Sequence, residues 1–112
     1  MTQLVYLAAA RQDIADIAAY IEQRSDSREA AEAFIDKITE HCEKIARLRT
    51  RLGRPRPEFG GDYRSTTFGN YVIFFRYADE TGPRSHLFII HIVHGGRDLD
   101  AYFNPSADNA AD

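Results

Sequence analysis

The chain is 112 residues long, with 14 Lys+Arg against 17 Asp+Glu and a formal net charge of -3. That length suits one compact domain rather than two. Apolar types at 44% and aromatics at 12% suffice for a packed core and exclude a wholly disordered chain. A single cysteine, Cys42, excludes a disulfide framework and a multi-cysteine zinc site, and points to a reducing cytoplasm. No apolar run approaches the ~20 residues of a membrane-crossing helix, so no membrane partner is expected. The opening MTQLVYLAAARQD has no basic leader and does not read as a secretory signal.

The charge is unevenly distributed. Residues 1–46 sum to -4, 47–64 to +4, 65–97 to +1 and 98–112 to -4. Twelve of the fourteen cations are arginine, and six of them (Arg47, Arg49, Arg51, Arg54, Arg56 and Arg64) fall in the basic segment. Guanidinium groups favour planar, bidentate pairing with carboxylate or phosphate. A solvated connection braced by ion pairs uses the same residues, so this segment alone does not define a site.

In chain order, Leu4-Val5-Tyr6-Leu7 reads as a short buried or paired strand. Ile14, Ile17, Ala18 and Ile21 then recur at helical spacing, with Asp13, Asp16 and Glu22 on the other side. Arg24-Ser25-Asp26-Ser27 breaks the period, and Asp26 or Ser27 can cap the next helix through a side-chain oxygen. From there Ala31, Phe34, Ile35, Ile38, Cys42, Ile45 and Leu48 trace one apolar stripe, predicting an antiparallel helical hairpin. Gly53, Pro55 and Pro57 end helical possibility, and Gly60-Gly61-Asp62 marks a turn. Tyr63–Phe68 is β-prone, Gly69-Asn70 suits a tight hairpin, and Tyr71–Tyr77 is a strongly apolar strand. A turn at Asp79–Pro83 leads to Leu87–His94, apolar on both faces and therefore central. Gly95-Gly96 stops it, Asp98–Phe103 suits a final helical turn, and the polar 104–112 reads as a flexible tail after one domain over 1–103. The order β-α-α-β-β-β predicts an α+β fold, with a two-helix antiparallel hairpin packed on a small, mostly antiparallel sheet.

That order, at this length, resembles the RelE/ParE superfamily of toxins from type II toxin–antitoxin modules, closest to the ParE branch once described as plasmid stabilisation proteins. The resemblance is carried by Leu7–Ile14 with Ile17-Ala18-Ala19-Tyr20-Ile21, and by Ile45-Ala46-Arg47-Leu48 followed by Leu52–Pro57. Arg64, Gly69–Phe75 and Ile92–Asp98 complete it, over about residues 4 to 103. It implies a cytoplasmic growth inhibitor that poisons DNA gyrase by binding. It also implies a hetero-oligomer in which a ParD-like antitoxin holds the toxin inactive. The RelE branch of the same superfamily implies an alternative, a ribosome-dependent endoribonuclease that cuts mRNA; a toxin-fold corepressor without toxicity is a third.

The residues weigh these readings differently. RNA cleavage by its own 2'-hydroxyl needs a base, an acid and phosphate-neutralising cations. Arg64, Arg76 and Arg97 could supply charge, His94 a titrating group and Glu58 a base, but no spacing makes them convergent. A net charge of -3 also gives little long-range attraction to ribosomal RNA. His41, His86, His91 and His94 show no metal-ligand pattern with Cys42, and Ser65-Thr66-Thr67 has no base at a telling spacing, so neither cofactor nor covalent catalysis is expected. A binding role asks instead for an arginine–aromatic surface. The candidates are Arg54, Arg56, Arg64, Tyr71, Phe75, His94, Arg97 and Tyr102. Tyr71, Phe74, Phe75, Tyr77, Phe88, Tyr102 and Phe103 exceed what a minimal core takes, which predicts an apolar patch that a partner covers. An antitoxin segment, as an amphipathic helix or an added strand, is expected along the helix–sheet seam or on an exposed sheet face or edge, its acidic residues drawn to the 47–64 arginines, with 98–112 dispensable for most of its affinity. Direct sequence-specific DNA binding is not expected, since the chain has no helix-turn-helix pattern and no strong basic face.

Overall fold

A computed structural model describes residues 2–48, 53–78 and 85–95. The elements are β1 (Thr2–Tyr6), α1 (Ala8–Ser25), α2 (Arg28–Arg47), β2 (Arg54–Pro55), β3 (Arg64–Phe68), β4 (Tyr71–Ala78) and β5 (Ser85–His94). They form one five-stranded sheet in the order β1-β5-β4-β3-β2, α+β in class as the hydropathy pattern predicts. Every pairing is antiparallel except β1 with β5, which is parallel because the whole helical hairpin lies between β1 and the strands that follow.

The helices break where the short polar residues stand. Ser25 Oγ donates to the Ile21 carbonyl, and Asp26 adopts the left-handed conformation (φ 53°) that ends α1. Ser27, not Asp26, is the cap: its hydroxyl accepts from the Ala30 N–H at 3.1 Å. Lys44 and Arg47 sit in the last turn of α2, where cations complement the helix dipole. Among the described residues α1 buries only Ala10, whereas α2 buries Ala31, Ile38, Cys42, Ile45 and Ala46. The second helix is therefore the main lid of the core, and α1 lies over the sheet with half-buried Ile14 and Ile17.

Both faces of the sheet are apolar. Ile73, Phe75, Leu87, Ile89 and Ile92 meet Ile38, Cys42 and Ile45 under the helices. Val72, Phe74, Ile90 and Val93 form a second cluster on the opposite face, covered by Leu7, Phe59 and Tyr63. Phe74 and Phe75 are both fully buried because consecutive strand residues point to opposite sides. The surplus of aromatics is thus partly absorbed by a sheet with two cores.

Three features depart from the sequence reading. The two-residue strand β2 was not expected; Arg54 and Pro55 pair with Ser65 and Arg64, and a stretch so short and Pro-containing carries no periodic signal. Second, β5 is bulged: Phe74 lies opposite His91 and Phe75 opposite Ile89, leaving Ile90 as an extra residue. Third, in consequence, the strand changes face along its length: His91 lies opposite Phe74 and Val93 opposite Val72, on the far side from Leu87 and Ile89. Leu87 and Ile89 enter the helix-side cluster, Val93 the opposite one, and His91 reaches Asp13 of α1. The expected turn at 79–83, the helical turn at 98–103 and the boundary at 103/104 lie outside the described residues.

Candidate functional site

The arginine-rich segment is used largely for building. Arg56 Nε donates to the buried Ser65 hydroxyl at 2.8 Å, its guanidinium lies 6.0 Å from the rings of both Phe59 and Phe74, and it pairs with Glu58 at 3.5 Å. Arg64 Nη2 donates to the Gly53 carbonyl at 2.7 Å. Of the eight sequence-predicted surface residues, Arg54 is exposed on the edge strand and Arg56 and Arg64 are half-buried. Phe75 is withdrawn from any partner surface: it is fully buried under the helices, its ring directly against Gly53. Arg97 and Tyr102 lie outside the described residues.

Two of the eight meet in a different place. Tyr71 and His94 are cross-strand partners with rings 5.7 Å apart, edge to face. They border a cavity of about 580 Å³ between α1, the end of β5 and the β3–β4 turn. Asp13, Asp16, Ile17 and Tyr20 line it from the helix, and Asn70, Ile92 and Val93 from the sheet. The cleft opens where strand β1 ends. Strand β1 pairs with β5 only as far as Tyr6 and Ile89, so further along that edge β5 faces α1 instead of a strand. There the Asp13 carboxylate takes the place of a strand carbonyl: its Oδ2 accepts from the Ile92 N–H at 2.9 Å and lies 3.2 Å from His91 Nδ1. Asp16 accepts from Gln12 Nε2 at 2.8 Å and stays exposed, and Tyr20 is 56% exposed with the Arg24 guanidinium 5.7 Å from its ring. Burial, reinforced by the nearby Tyr20 phenol, raises the Tyr71 hydroxyl above its ordinary range, so it is a neutral hydrogen-bonding group at physiological pH.

Sequence reasoning missed Asp13, Asp16, Tyr20 and Asn70 as members of one site. Asp13, Asp16, Ile17 and Tyr20 stand at i, i+3, i+4 and i+7, the spacing of one helical face, and that signal was present. What faces them was not legible, because it depends on where strand β1 ends.

Cys42, Tyr6 and His41 are withdrawn from solvent in whole or part. Burial pushes the Cys42 thiol up to about 11 and the Tyr6 phenol still further above its own ordinary range, leaving the pair uncharged at the core. Burial, with help from Lys44, holds His41 below the ordinary imidazole value, and its Nε2 is buried with no hydrogen-bond partner. Among the described residues no three of His, Cys, Asp and Glu gather as a metal site would require. No described helix is long and apolar enough to cross a membrane.

Residues 4–99 match the model of the ParE toxin of the type II toxin–antitoxin system, parDE. The chain belongs to the ParE toxin family. It is thereby a toxin of the type II toxin–antitoxin class, the class of plasmid stabilisation modules, and the family implies an antitoxin partner. No curated protein matches the chain. Among the described residues, the cleft between α1 and β5 brings Tyr71 and His94 together with Asp13, Asp16 and Tyr20.

Proposed function

We propose that this ParE-family toxin acts by binding rather than by bond cleavage, that its target is DNA gyrase, and that a ParD-like antitoxin neutralises it in a cytoplasmic hetero-oligomer. The family match over residues 4–99 carries the reading. The placement of the cationic residues supports it. Arg64 pairs with Phe75 and so belongs to the helix side of the sheet, where its guanidinium is committed to the Gly53 carbonyl. Arg76 stands on the opposite side, 4.7 Å from the Phe88 ring and 3.7 Å from Asp62. His94 pairs with Tyr71 at the far end of β4, so it lies roughly 17 Å along the strand from Arg76. Glu58 pairs with Arg56 under the sheet. A base, an acid and phosphate-binding cations would have to converge within hydrogen-bond reach of one nucleotide, and these residues point to three separate places.

The open seam between α1 and β5 supports the antitoxin side of this reading. An amphipathic segment laid there would cover Ile17, Tyr20 and Tyr71 without competing with the built-in contacts of the arginine segment. Truncation of 98–112 is expected to leave most of the antitoxin affinity, measured by calorimetric titration; complete loss would place the main contact in the tail.

The test of the activity runs in parallel. Purified toxin is added to gyrase in a supercoiling assay and to a translating ribosome extract. Inhibited supercoiling with gyrase-dependent DNA breaks and intact message is the expected result. Ribosome-dependent mRNA cuts that disappear in His94→Ala or Arg64→Ala would overturn the reading in favour of the ribonuclease.

A further inference from the structure

The α1–β5 cleft has a definite chemistry, and it differs from the rest of the molecule. We infer that it receives an extended peptide segment carrying a basic side chain, arginine by preference, which enters between Tyr20 and Tyr71 and ends on the Asp16 carboxylate. The inference concerns the chemistry of the occupant and stands whether or not gyrase is the toxin's target.

Three observations set the shape of the occupant. The cavity, about 580 Å³, lies within the ~300–1,000 Å³ range of ligand pockets. Its helix wall runs from Asp13 to Tyr20, roughly 10 Å at the helical rise, which matches about three residues of extended chain. The sheet wall is the end of β5 beyond its pairing with β1, and the Ile92 N–H already points to this side, where it meets a side-chain carboxylate instead of a strand. With that N–H taken by Asp13, an extended segment lies along the cleft through its side chains rather than by adding to the strand ladder.

The charge and ring content then choose the side chain. The helix wall contributes two carboxylates, Asp13 and Asp16; Asp13 is committed to β5, and Asp16 is the exposed one. Two phenol rings flank the space, and Tyr20 already holds one guanidinium, that of Arg24, at 5.7 Å. A planar guanidinium stacks on such rings and pairs with a carboxylate in the same pose, which a compact ammonium does less well. An acidic segment would meet Asp13 and Asp16 with like charge, so the cleft selects against it.

The test uses the full-length, isotope-labelled toxin and a short capped peptide alternating arginine and valine, with glutamate and citrulline counterparts of the same length. The arginine peptide is expected to shift the amide resonances of Asp16, Tyr20, Asn70 and Val93, and to bind about tenfold tighter than the citrulline peptide and more tightly still than the glutamate one. Asp16→Asn and Tyr20→Ala, both at exposed positions, are each expected to weaken it by about 3- to 10-fold. Equal binding of the three peptides, shifts centred on Arg54 instead, or unchanged affinity in both variants would overturn the proposal. Binding that appears only after removal of 98–112 would also overturn it, because the chain's own tail would then be the occupant. A toxin that binds the arginine peptide here yet leaves gyrase untouched would count against the proposed target and not against this site.

Discussion

The two faces of the sheet are closed in different ways. On one, α2 lays down a continuous apolar stripe, and Ile38, Cys42 and Ile45 interlock with Ile73, Phe75 and Ile89. On the other, a cluster of four buried residues is covered chiefly by the 56–63 loop, through Phe59, Tyr63 and the guanidinium of Arg56. That loop is held by three backbone hydrogen bonds, Arg56 N–H to Tyr63 O, Phe59 N–H to Arg56 O and Tyr63 N–H to Gly60 O. A helix brings its backbone bonds with it and adds area; a loop has to be pinned by particular contacts. The helix-covered face is therefore robust to any one polar change and sensitive to volume, and the loop-covered face is the reverse.

The sharpest way to break the first face is Phe75→Ala. The ring is fully buried, and its loss is expected to cost about 3–5 kcal/mol, read as a lower midpoint in urea with the slope unchanged. Next comes Gly53→Ala, at the seam of the two faces. Gly53 has φ +89°, and an added Cβ would lie 2.8 Å from both the Ser65 carbonyl oxygen and Phe75 Cζ. Backbone strain alone predicts a loss of about 1–3 kcal/mol, and the overlap with backbone adds to it; a thermal midpoint equal to wild type would show that this segment shifts freely.

The second face is probed by Arg56→Ala, expected to cost about 1–2 kcal/mol through the Ser65 hydrogen bond and the two ring contacts. Its signature is local: amide exchange at Phe59 and Tyr63 should accelerate while the β4–β5 amides keep their protection. Uniform acceleration would mean that the loop is integral to the global unit and the contrast between the faces is wrong.

The smallest effect is a pH slope. Burial holds the His41 imidazole below 6.5, so as pH falls the unfolded chain takes up the proton first. The stability from keeping His41 neutral is present above the unfolded pKa and is lost as pH drops through it. His41→Leu should flatten the fall in thermal midpoint between about pH 7 and pH 5; an unchanged slope would assign that fall to other groups.

Much of the fold was legible before any coordinates. Spacing located both helices to within a few residues, Ser27 could be named as a possible cap, and Gly69-Asn70 marked the hairpin that joins β3 to β4. The site was less legible. Arg56 and Arg64 carry the same charge as a partner surface would, yet they are bound to Ser65 and Gly53, because neighbouring strands and the loop bring acceptors to them. Phe75 could not be told from Tyr71 by composition: both lie on the helix side, but Phe75 falls in the middle of the sheet and Tyr71 at its end.

What the chain determined by itself was periodic or local: the helical stripes, the alternating strands, the turn residues and the order of elements by which the family is recognised. These depend on neighbours a few residues apart, and so they are written in consecutive positions. The tertiary structure alone decided the bulge at Ile90, the point where β1 leaves β5 and the reach of Asp13 across 79 positions of sequence to the Ile92 N–H, and with the last two the cleft beside α1. Each is settled by which strand ends first and what remains to satisfy a backbone group in the interior, a balance that exists only once the sheet has formed.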